Sequence, residues 1–443
     1  MKLLRITGIM LLLAAGTSLI HAQADSVIRF NLKEAQDYAI ENFYISKNAD
    51  LDKETARLRV WETTAMGLPQ VSVSANYQYI PGEIPTFDFQ IPGMDTLGFD
   101  FGEPSAIAVK NSITYGATVS QLIFSGEYIV GLQAARVYRA NTEEASARTE
   151  IELKQSVADS YFGLLILHQN RKILEETLNN LKENLQEVKA SYEVGLLEDT
   201  EVDQIDLVVK RTENSLSSVG RQIEFMTRMF KYQIGLDPSI DIILTDNLDE
   251  LVAYNLVNTD DYSFILEDNI EYRMLSTNEK LMYLLMKREK SRYLPTVAGF
   301  YQYQDKTQKA DFDFTINHII GINLNVPITT SGSQAARVSQ ARIEYEKAQN
   351  TREQEMNRLM MTAEQALFDY QTALEKYNNE KLNFELSEKV FNHTDARYKE
   401  GLISSLELTL INNQYLQAQL SYSLAIQELL SSKVMLDKAF NKL

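Results

Sequence analysis

The segment Ala190-Ser191-Tyr192-Glu193-Val194-Gly195-Leu196 recurs 206 residues later as Ala396-Arg397-Tyr398-Lys399-Glu400-Gly401-Leu402. At the same offset Ser125-Gly126 recurs as Ser331-Gly332, and no gap is needed to align the copies. Neither stretch from the first glycine to the last contains proline, so each can form a continuous helix of about 100 Å. This internal duplication favours one architecture built from two similar halves.

The first 24 residues have the pattern of a secretory signal. Lys2 and Arg5 precede an apolar run from Ile6 to Ile20, and Ala22-Gln23-Ala24 supplies small residues at the usual cleavage spacing. We therefore expect an exported protein. After this segment no apolar stretch approaches the roughly 20 residues of a transmembrane helix, so a membrane role would have to come from strands.

The chain is acidic and contains no cysteine. Its 43 Lys and Arg residues oppose 61 Asp and Glu residues, which gives a formal net charge of −18. This balance argues against a nucleic-acid partner and against binding anionic lipid through a basic surface. The absence of cysteine excludes disulfides, thiolate metal sites, cysteine nucleophiles and lipid attachment at a processed N-terminal cysteine.

Four short segments alternate between apolar and polar residues, as amphipathic strands do. We expect these strands at residues 70–79, 112–121, 296–304 and 319–327. Their lengths fit the roughly 9 to 11 residues that cross a bilayer as a tilted strand. The stretch from Ile80 to Asn111 has the proline and glycine content of a loop. A soluble sheet packed on helices is the alternative interpretation.

Apolar residues recur every three or four positions in the proline-free stretches, which predicts paired long helices. The turns between them, which we call the helical tips, are expected at about residues 192–200 and 398–405. The last helix also carries apolar residues off its main stripe, which predicts a neighbour on each side, as in a ring of helices. Each helix of the first hairpin has its own stripe. The stripes contain Leu174, Leu178, Leu181, Leu185, Val188 and Tyr192 on the first helix and Val202, Ile205, Val209, Thr212, Leu216, Val219, Ile223, Met226 and Phe230 on the second.

The predicted organisation is a signal peptide at residues 1–24, a first repeat at 25–236, an insert at 237–268 and a second repeat at 269–443. Each repeat runs helix, strand, strand, long helix, turn, helix. The shorter helices, about Leu32 to Met66 and about Ile270 to Arg292, stop before Pro69 and Pro295. The insert is rich in Asp and Asn, and we expect it to be irregular.

Four strands cannot form an open sheet in a bilayer, because no water is present there to satisfy the unpaired edges. Single-chain barrels begin at about eight strands, so several copies of this chain would have to share one barrel. Two, three or four copies remain possible from this argument. The fold class expected is mainly α with a small β-barrel portion.

The sequence resembles the TolC-like outer-membrane efflux protein family over essentially the whole mature chain. The resemblance is carried by the two halves, the helix ends before Pro69 and Pro295, the segment from Gln121 to Gly126, and the turns at Tyr192 and Tyr398. It implies a homotrimer with a twelve-stranded barrel in the outer membrane, continued by an α-helical tunnel in the periplasm. The insert would belong to an equatorial belt around this tunnel.

The resemblance also implies partners and sites. The partners are a periplasmic adaptor (membrane fusion) protein, an inner-membrane pump and outer-membrane lipid. Glu201 and Glu407, each six residues after its turn glycine, would line the aperture together with Tyr398. A second acid that the family often carries three residues later is Leu410 here. The tips that dock the adaptor would contain Gly195, Leu196, Gly401 and Leu402.

We therefore expect the outer-membrane channel of a tripartite efflux or type I secretion system, a passive conduit that exports small molecules or polypeptides. An exported periplasmic coiled-coil scaffold or adaptor without a pore is the alternative, and the four strands favour the channel. An enzyme is not expected, because His168, His318 and His393 have no recurring Ser, Asp or Glu spacing around them. No metal site or cofactor is predicted, and the clustered methionines are interpreted as core packing.

Overall fold

A computed structural model describes residues 27–84, 86–87, 105–106, 108–259, 262–310 and 313–443. The predicted signal segment and most of the predicted loop from Ile80 to Asn111 lie outside the described residues. Within the described part of the chain, none of the helices combines the length and the apolar character needed to span a membrane.

Helices make up most of the described chain. The two long helices contain 68 and 67 residues, which corresponds to about 100 Å each. A short 3-10 helix, Leu266–Asp268, follows the fifth α-helix. The α-helices are α1 (Leu32–Asn42), α2 (Tyr44–Ala65), α3 (Gly126–Glu193), α4 (Asp199–Ile234), α5 (Leu248–Asn255), α6 (Ile270–Ser291), α7 (Ser333–Lys399) and α8 (Ser405–Ala439).

The structure divides the helix expected from Leu32 to Met66 into α1 and α2 at Phe43. Phe43 has an extended backbone (φ −74°, ψ 139°), and its buried ring packs edge-on against Tyr232 at 5.9 Å. Burial of this ring in the core therefore interrupts the helix. A Cβ atom on Gly235 would lie 2.7 Å from the carbonyl oxygen of Asn42, so only glycine fits beside this break.

Four strands form one antiparallel sheet in the order β2-β5-β7-β8. A parallel pair, β1 with β6, and a short antiparallel pair, β3 with β4, lie outside it. Within the described chain the large sheet is open, with β2 and β8 at its edges, and it does not close into a barrel. The strands are β1 (Ile28–Phe30), β2 (Gln70–Tyr79), β3 (Thr86–Phe87), β4 (Ser105–Ala106), β5 (Asn111–Ser125), β6 (Ile242–Leu244), β7 (Thr296–Lys306) and β8 (His318–Asn325).

The edge strands of the large sheet carry exposed apolar side chains. Every residue of β2 is exposed, and Val73 retains 81% of its accessible surface. On β8, Ile320 and Ile322 are 84% and 72% exposed. None of the described residues therefore covers these apolar side chains.

Among the described residues the helices, in contrast, enclose two large apolar cores and a smaller cluster around Val130 and Leu284. The first surrounds Tyr161, Phe230 and Tyr370, and it is built from α1, α3, α4, α7, α8 and the pair β1-β6. The second lies nearer the helical tips and surrounds Leu181 and Leu408. The predicted stripes of the first hairpin are confirmed for most of their members, and Tyr192 is the exception that remains 45% exposed. The buried members are Leu178, Leu181, Leu185, Val188, Ile205, Val209, Thr212, Ile223 and Phe230.

The segment 237–268 is fastened to both long helices by two buried tyrosines. The Tyr161 hydroxyl accepts from the N–H of Asp246 in this segment at 3.4 Å and donates to the carbonyl oxygen of Phe30 at 3.0 Å, next to the pairing of β1 with β6. The Tyr370 hydroxyl donates to the carbonyl oxygen of Asn255 and accepts from the N–H of Val257, both at 3.0 Å. The segment contains β6, α5 and the 3-10 helix, so it is more regular than its composition predicts.

Candidate functional site: the helical tips

The two helical tips have the same backbone geometry. At the first tip Gly195 has φ +75°, its N–H donates to the oxygen of Tyr192 at 2.9 Å, and the N–H of Leu196 donates to the oxygen of Ser191 at 3.0 Å. At the second tip Gly401 has φ +72°, with equivalent bonds of 2.9 and 3.0 Å. This pair of bonds is the Schellman motif, which satisfies the last carbonyls of a helix.

The requirement for glycine at these turns is conformational. A Cβ atom built on Gly195 or Gly401 would meet nothing within 4 Å, so space is not the constraint. The positive φ is favourable for glycine and strained for a β-branched residue. The repeated glycine in the sequence therefore encodes the turn itself.

Each tip exposes an apolar residue directly after its glycine. Leu196 retains 76% and Leu402 retains 63% of its accessible surface. Both glycines are also exposed. The four predicted docking residues therefore lie at the surface of the chain, two on each tip.

The helices that follow the tips begin differently. At the start of α8 the N–H of Glu407 donates to the Ser404 hydroxyl at 3.3 Å, which is an N-cap, whereas Glu198 provides no side-chain cap to α4. Glu407 itself is exposed in the first turn of α8, where the helix dipole favours a negative charge. Its carboxylate is thus available to solvent or ions.

Glu201 has a different setting from Glu407. Its carboxylate accepts a hydrogen bond from the N–H of Ser405 at 3.2 Å and another from the Ser405 hydroxyl. Ser405 is completely buried, and its hydroxyl oxygen also lies 2.8 Å from the side-chain oxygen of Gln204. Glu201 therefore joins the first turn of α4 to the first turn of α8, 204 residues apart in the chain.

Tyr398 is half-buried at the end of α7 and packs against the second apolar core. Burial raises the pKa of its hydroxyl to about 12, and the nearby carboxylates of Glu201 and Glu187 act in the same direction. The phenol is therefore neutral at physiological pH. The structure thus brings Tyr398 and Glu201 close together at the tip.

A polar contact behind the tips was not anticipated from the sequence. The side-chain amide of Asn184 on α3 donates to the Asp395 carboxylate on α7 at 2.8 Å, and Asp395 also pairs with Lys399 at 2.9 Å. Asn184 is buried. The sequence does contain a signal for this contact: Asn184 lies between Leu181 and Leu185 of the apolar stripe, and a polar side chain in such a position needs a hydrogen-bond partner.

Five aromatic rings stack between α7 and α8 on the way to the tips. Ring centroids are separated by 5.0 Å for Phe391 and Tyr415 and by 5.8 Å for Tyr415 and Phe384. The stack continues to Tyr422 at 5.2 Å and to Tyr377 at 5.9 Å. Contacts of this type add stability beyond their buried area and hold the two helices in register.

The candidate catalytic or metal-binding side chains are dispersed. Within the described ranges, no group of three or more His, Asp and Glu side chains has the arrangement of a metal site. His168 lies on α3, where burial and then the charge of Arg171 lower its pKa. His318 lies at the start of β8, with its Nδ1 atom 2.8 Å from the Tyr301 hydroxyl.

Comparison with known proteins identifies the class. The model of the outer membrane efflux protein family matches residues 47–224 and 286–442. These ranges make up more than half of the chain, and the chain therefore belongs to the outer membrane efflux protein family. No curated protein matches the chain in sequence.

Three solved structures illustrate the fold. The CmeC outer-membrane channel of Campylobacter jejuni has a TM-score of 0.74 at 17% identity, covering 93% of this chain and 85% of that one. For VceC of Vibrio cholerae the values are 0.70 and 16%, with 92% and 95% coverage. For the open state of the Neisseria gonorrhoeae MtrE channel they are 0.69 and 14%, with 92% and 88% coverage. At these identities the likeness establishes the fold of this chain.

Family membership makes this chain an outer-membrane protein of an efflux system. The family is one of channel proteins rather than enzymes. The expectation of an outer-membrane efflux protein of the TolC-like type is confirmed.

Proposed function

We propose that this protein is the outer-membrane channel of a tripartite efflux or type I secretion system, and that it is a passive conduit for small molecules or polypeptides. The observation that carries this proposal is the open four-stranded sheet. β2 and β7 contain 10 and 11 residues, the length of a bilayer crossing, and the apolar residues on the edge strands are left uncovered by the described chain. Lipid would cover these residues, and strands from other copies would pair with β2 and β8.

The proposed assembly is a homotrimer with a twelve-stranded barrel, continued by a helical tunnel in the periplasm. Several leucines of α8 that lie off its buried stripe support this arrangement, because Leu406, Leu410 and Leu424 are each more than half exposed in the single chain. A ring of helices would bring these leucines against neighbouring copies. The two parts of the chain, 25–236 and 269–443, would contribute as two similar halves, with the insert 237–268 forming an equatorial belt.

The two helical tips would dock a periplasmic adaptor protein, which links the channel to an inner-membrane pump. The exposed Leu196 and Leu402, placed by Gly195 and Gly401, support this role. Glu407, with Tyr398 and Glu201 behind it, would line the aperture. An exposed carboxylate repeated around a symmetric ring favours the passage of cations over anions. The hydrogen bonds of Glu201 to Ser405 give it the further task of holding α8 against α4.

The test is reconstitution of the purified protein into planar bilayers. Discrete conductance steps are expected, and Glu407→Gln should lower the preference for cations. Glu250→Gln, which removes another exposed carboxylate, from α5, is the matched control and should leave selectivity unchanged. A protein that fractionates as a soluble monomer without detergent, and that gives no conductance, would indicate the scaffold instead of the channel. Unchanged selectivity of Glu407→Gln alone would remove only the aperture assignment.

A further inference from the structure

Basic residues are concentrated at one place in this acidic chain. Four of the six residues 287–292 are Lys or Arg, and Glu289 is the one acid among them. They form the end of α6, directly before Pro295 and the first residue of β7. The net charge is a sum over the whole chain. In salt solution, however, a charged ligand at the surface interacts mainly with protein charges within about 10 Å, because salt screens the more distant ones. The overall charge of −18 therefore does not describe this segment.

Two of the four basic side chains are paired and two are not. Arg292 contacts Glu127 at 2.6 Å, and Arg288 contacts Glu289 at 3.2 Å. Lys287 and Lys290 are exposed, and the part of the chain that the structure describes places no carboxylate within ion-pair distance of either. Residues three apart share a helix face, so these two ammonium groups point outward together.

Exposed aromatic and apolar side chains lie near the ends of α2 and α6, and both of these ends contact the start of α3, through Thr64 with Tyr128 and through Arg292 with Glu127. Tyr293 and Leu294 follow the basic segment and precede β7. Trp61 and Met66, near the end of α2, precede β2 in the same way and are each 59% exposed. Amphipathic rings at the ends of membrane-crossing segments are typical of the layer between hydrocarbon and water. We call Lys287, Lys290, Tyr293, Leu294, Trp61 and Met66 the junction collar.

Hydrogen bonds fix the collar relative to the sheet. The Tyr128 hydroxyl at the start of α3 donates to the carbonyl oxygen of Thr64 on α2 at 3.3 Å. The buried Gln334 side chain at the start of α7 donates to the carbonyl oxygen of Glu289 at 2.6 Å. The ends of α2 and α6 are thus tied to the starts of α3 and α7. The two lysines, on the last turns of α6, consequently keep a fixed position relative to the start of α7.

We propose that the junction collar binds the headgroup phosphates of anionic phospholipids, in the leaflet that the sheet enters from the helical side. This inference rests on the proposed function, since it requires the sheet to lie in a bilayer. The lysines supply two positive charges to a surface of phosphates, and the aromatic and apolar members lie beside them, where headgroups meet hydrocarbon. Free phosphate would engage the lysines but would give no role to Trp61, Met66, Tyr293 or Leu294. The lipid is therefore the ligand.

The experiment measures which lipid the full-length protein retains. Protein is reconstituted in vesicles of equimolar phosphatidylglycerol and phosphatidylcholine, extracted in mild detergent, and analysed for bound lipid of each type. The wild type should retain more phosphatidylglycerol, and K287Q/K290Q should lose most of this preference, by about tenfold. K381Q/K389Q, which removes two exposed lysines from α7, should behave as the wild type does. Inorganic phosphate at the same concentration should not displace the lipid.

Trp61 is the single tryptophan of the chain, so its fluorescence reports on the junction collar alone. Brominated phosphatidylglycerol should quench it more than brominated phosphatidylcholine does. A preference that survives K287Q/K290Q, or a lysine-dependent preference without quenching of Trp61, would overturn the proposal. So would displacement of the lipid by inorganic phosphate. Failure to associate with vesicles of either composition would instead contradict the proposed membrane function.

Discussion

The helical part of this molecule and its sheet differ in what a single chain can complete. In the helical part, the side chains of Tyr161, Tyr370 and Leu429 are fully buried by other parts of the same chain. In the sheet, Val73 on β2 and Ile322 on β8 keep most of their surface exposed. Both strands are edges of the sheet, whereas β5 and β7 have a partner strand on each side. The comparison teaches that the helices bury their own core, whereas the apolar side chains of the edge strands are left uncovered by the described residues. The proposed function assigns their cover to lipid and to further copies of the chain.

The largest expected effect is on the helical core. Tyr161→Ala removes a fully buried ring and its hydrogen bond to Phe30, so the free energy of unfolding should fall by about 3 to 5 kcal/mol. Denaturant unfolding followed by the helical circular dichroism signal measures it. Tyr254→Ala, at a tyrosine that is 85% exposed, is the control and should change stability by less than about 0.5 kcal/mol. Equal effects of the two substitutions would mean that the core is not where the structure places it.

A charge on the sheet should act on membrane assembly and leave the helices intact. Ile322→Lys places an ammonium group on the apolar face of β8, at a cost of about 2 to 4 kcal/mol per copy near the middle of a bilayer. We expect loss of vesicle association with an unchanged helical signal. Asn323→Lys, on the opposite face of the same strand, should be tolerated. If both variants associate with vesicles as the wild type does, lipid does not cover this face.

A β-branched residue at a helical tip should disturb the tip alone. Gly401→Val forces valine into a positive φ, with a local strain of about 1 to 3 kcal/mol. Amide hydrogen exchange at position 401 and at Leu402 should accelerate, because the hydrogen bonds of these N–H groups to the carbonyl oxygens of Tyr398 and Arg397 weaken. Gly220→Val adds the same bulk in α4, at a position with free space and no positive φ, and should leave exchange at the tip unchanged. Unaltered protection in Gly401→Val would show that the turn does not depend on glycine.

The smallest expected effect is on the titration of one phenol at the tip. Burial raises the pKa of Tyr398 to about 12, so the neutral phenol is favoured in the folded chain. Its contribution to stability is complete below the ordinary tyrosine pKa of about 10 and is lost as the pH rises through 12. Phenolate absorbance is measured as a function of pH for the wild type and for Tyr398→Phe. The difference between the two curves should therefore have its midpoint at a pH near the raised pKa. A midpoint near the ordinary value would mean that Tyr398 is exposed.

Local patterns in the sequence predict where the helices, strands and turns lie, but they predict few of the contacts between these elements. The alternation from Gln70 to Tyr79 coincides with β2, and the recurring glycines lie at two turns of the same geometry. The interruption at Phe43 was missed, because its cause is the packing of a ring against a helix far away in the sequence. The bond from Ser405 to Glu201 was missed for the same reason, since spacing patterns report only on neighbours along one helix.

Other features of the sheet depend on pairing that a linear pattern does not contain. β5 continues to Ser125, beyond the predicted end at residue 121, and a bulge between Leu122 and Phe124 carries it alongside β7. The short strand β6 in the insert pairs with β1, more than two hundred residues earlier. The number of copies that share the sheet is likewise absent from the spacing, and the homotrimer remains a proposal based on the resemblance.

Disulfide trapping between the two edge strands tests the central claim most directly. In the native cysteine-free chain, one cysteine is placed at Ser74 on β2 and a second, in turn, at each of residues 319–323 on β8. Two strands lie between β2 and β8 in one chain, which separates them by about 14 Å, too far for a disulfide. If copies close the sheet, oxidation in membranes should link separate chains into covalent oligomers of up to three. Chains that stay single, or that form the bond internally, would contradict the account.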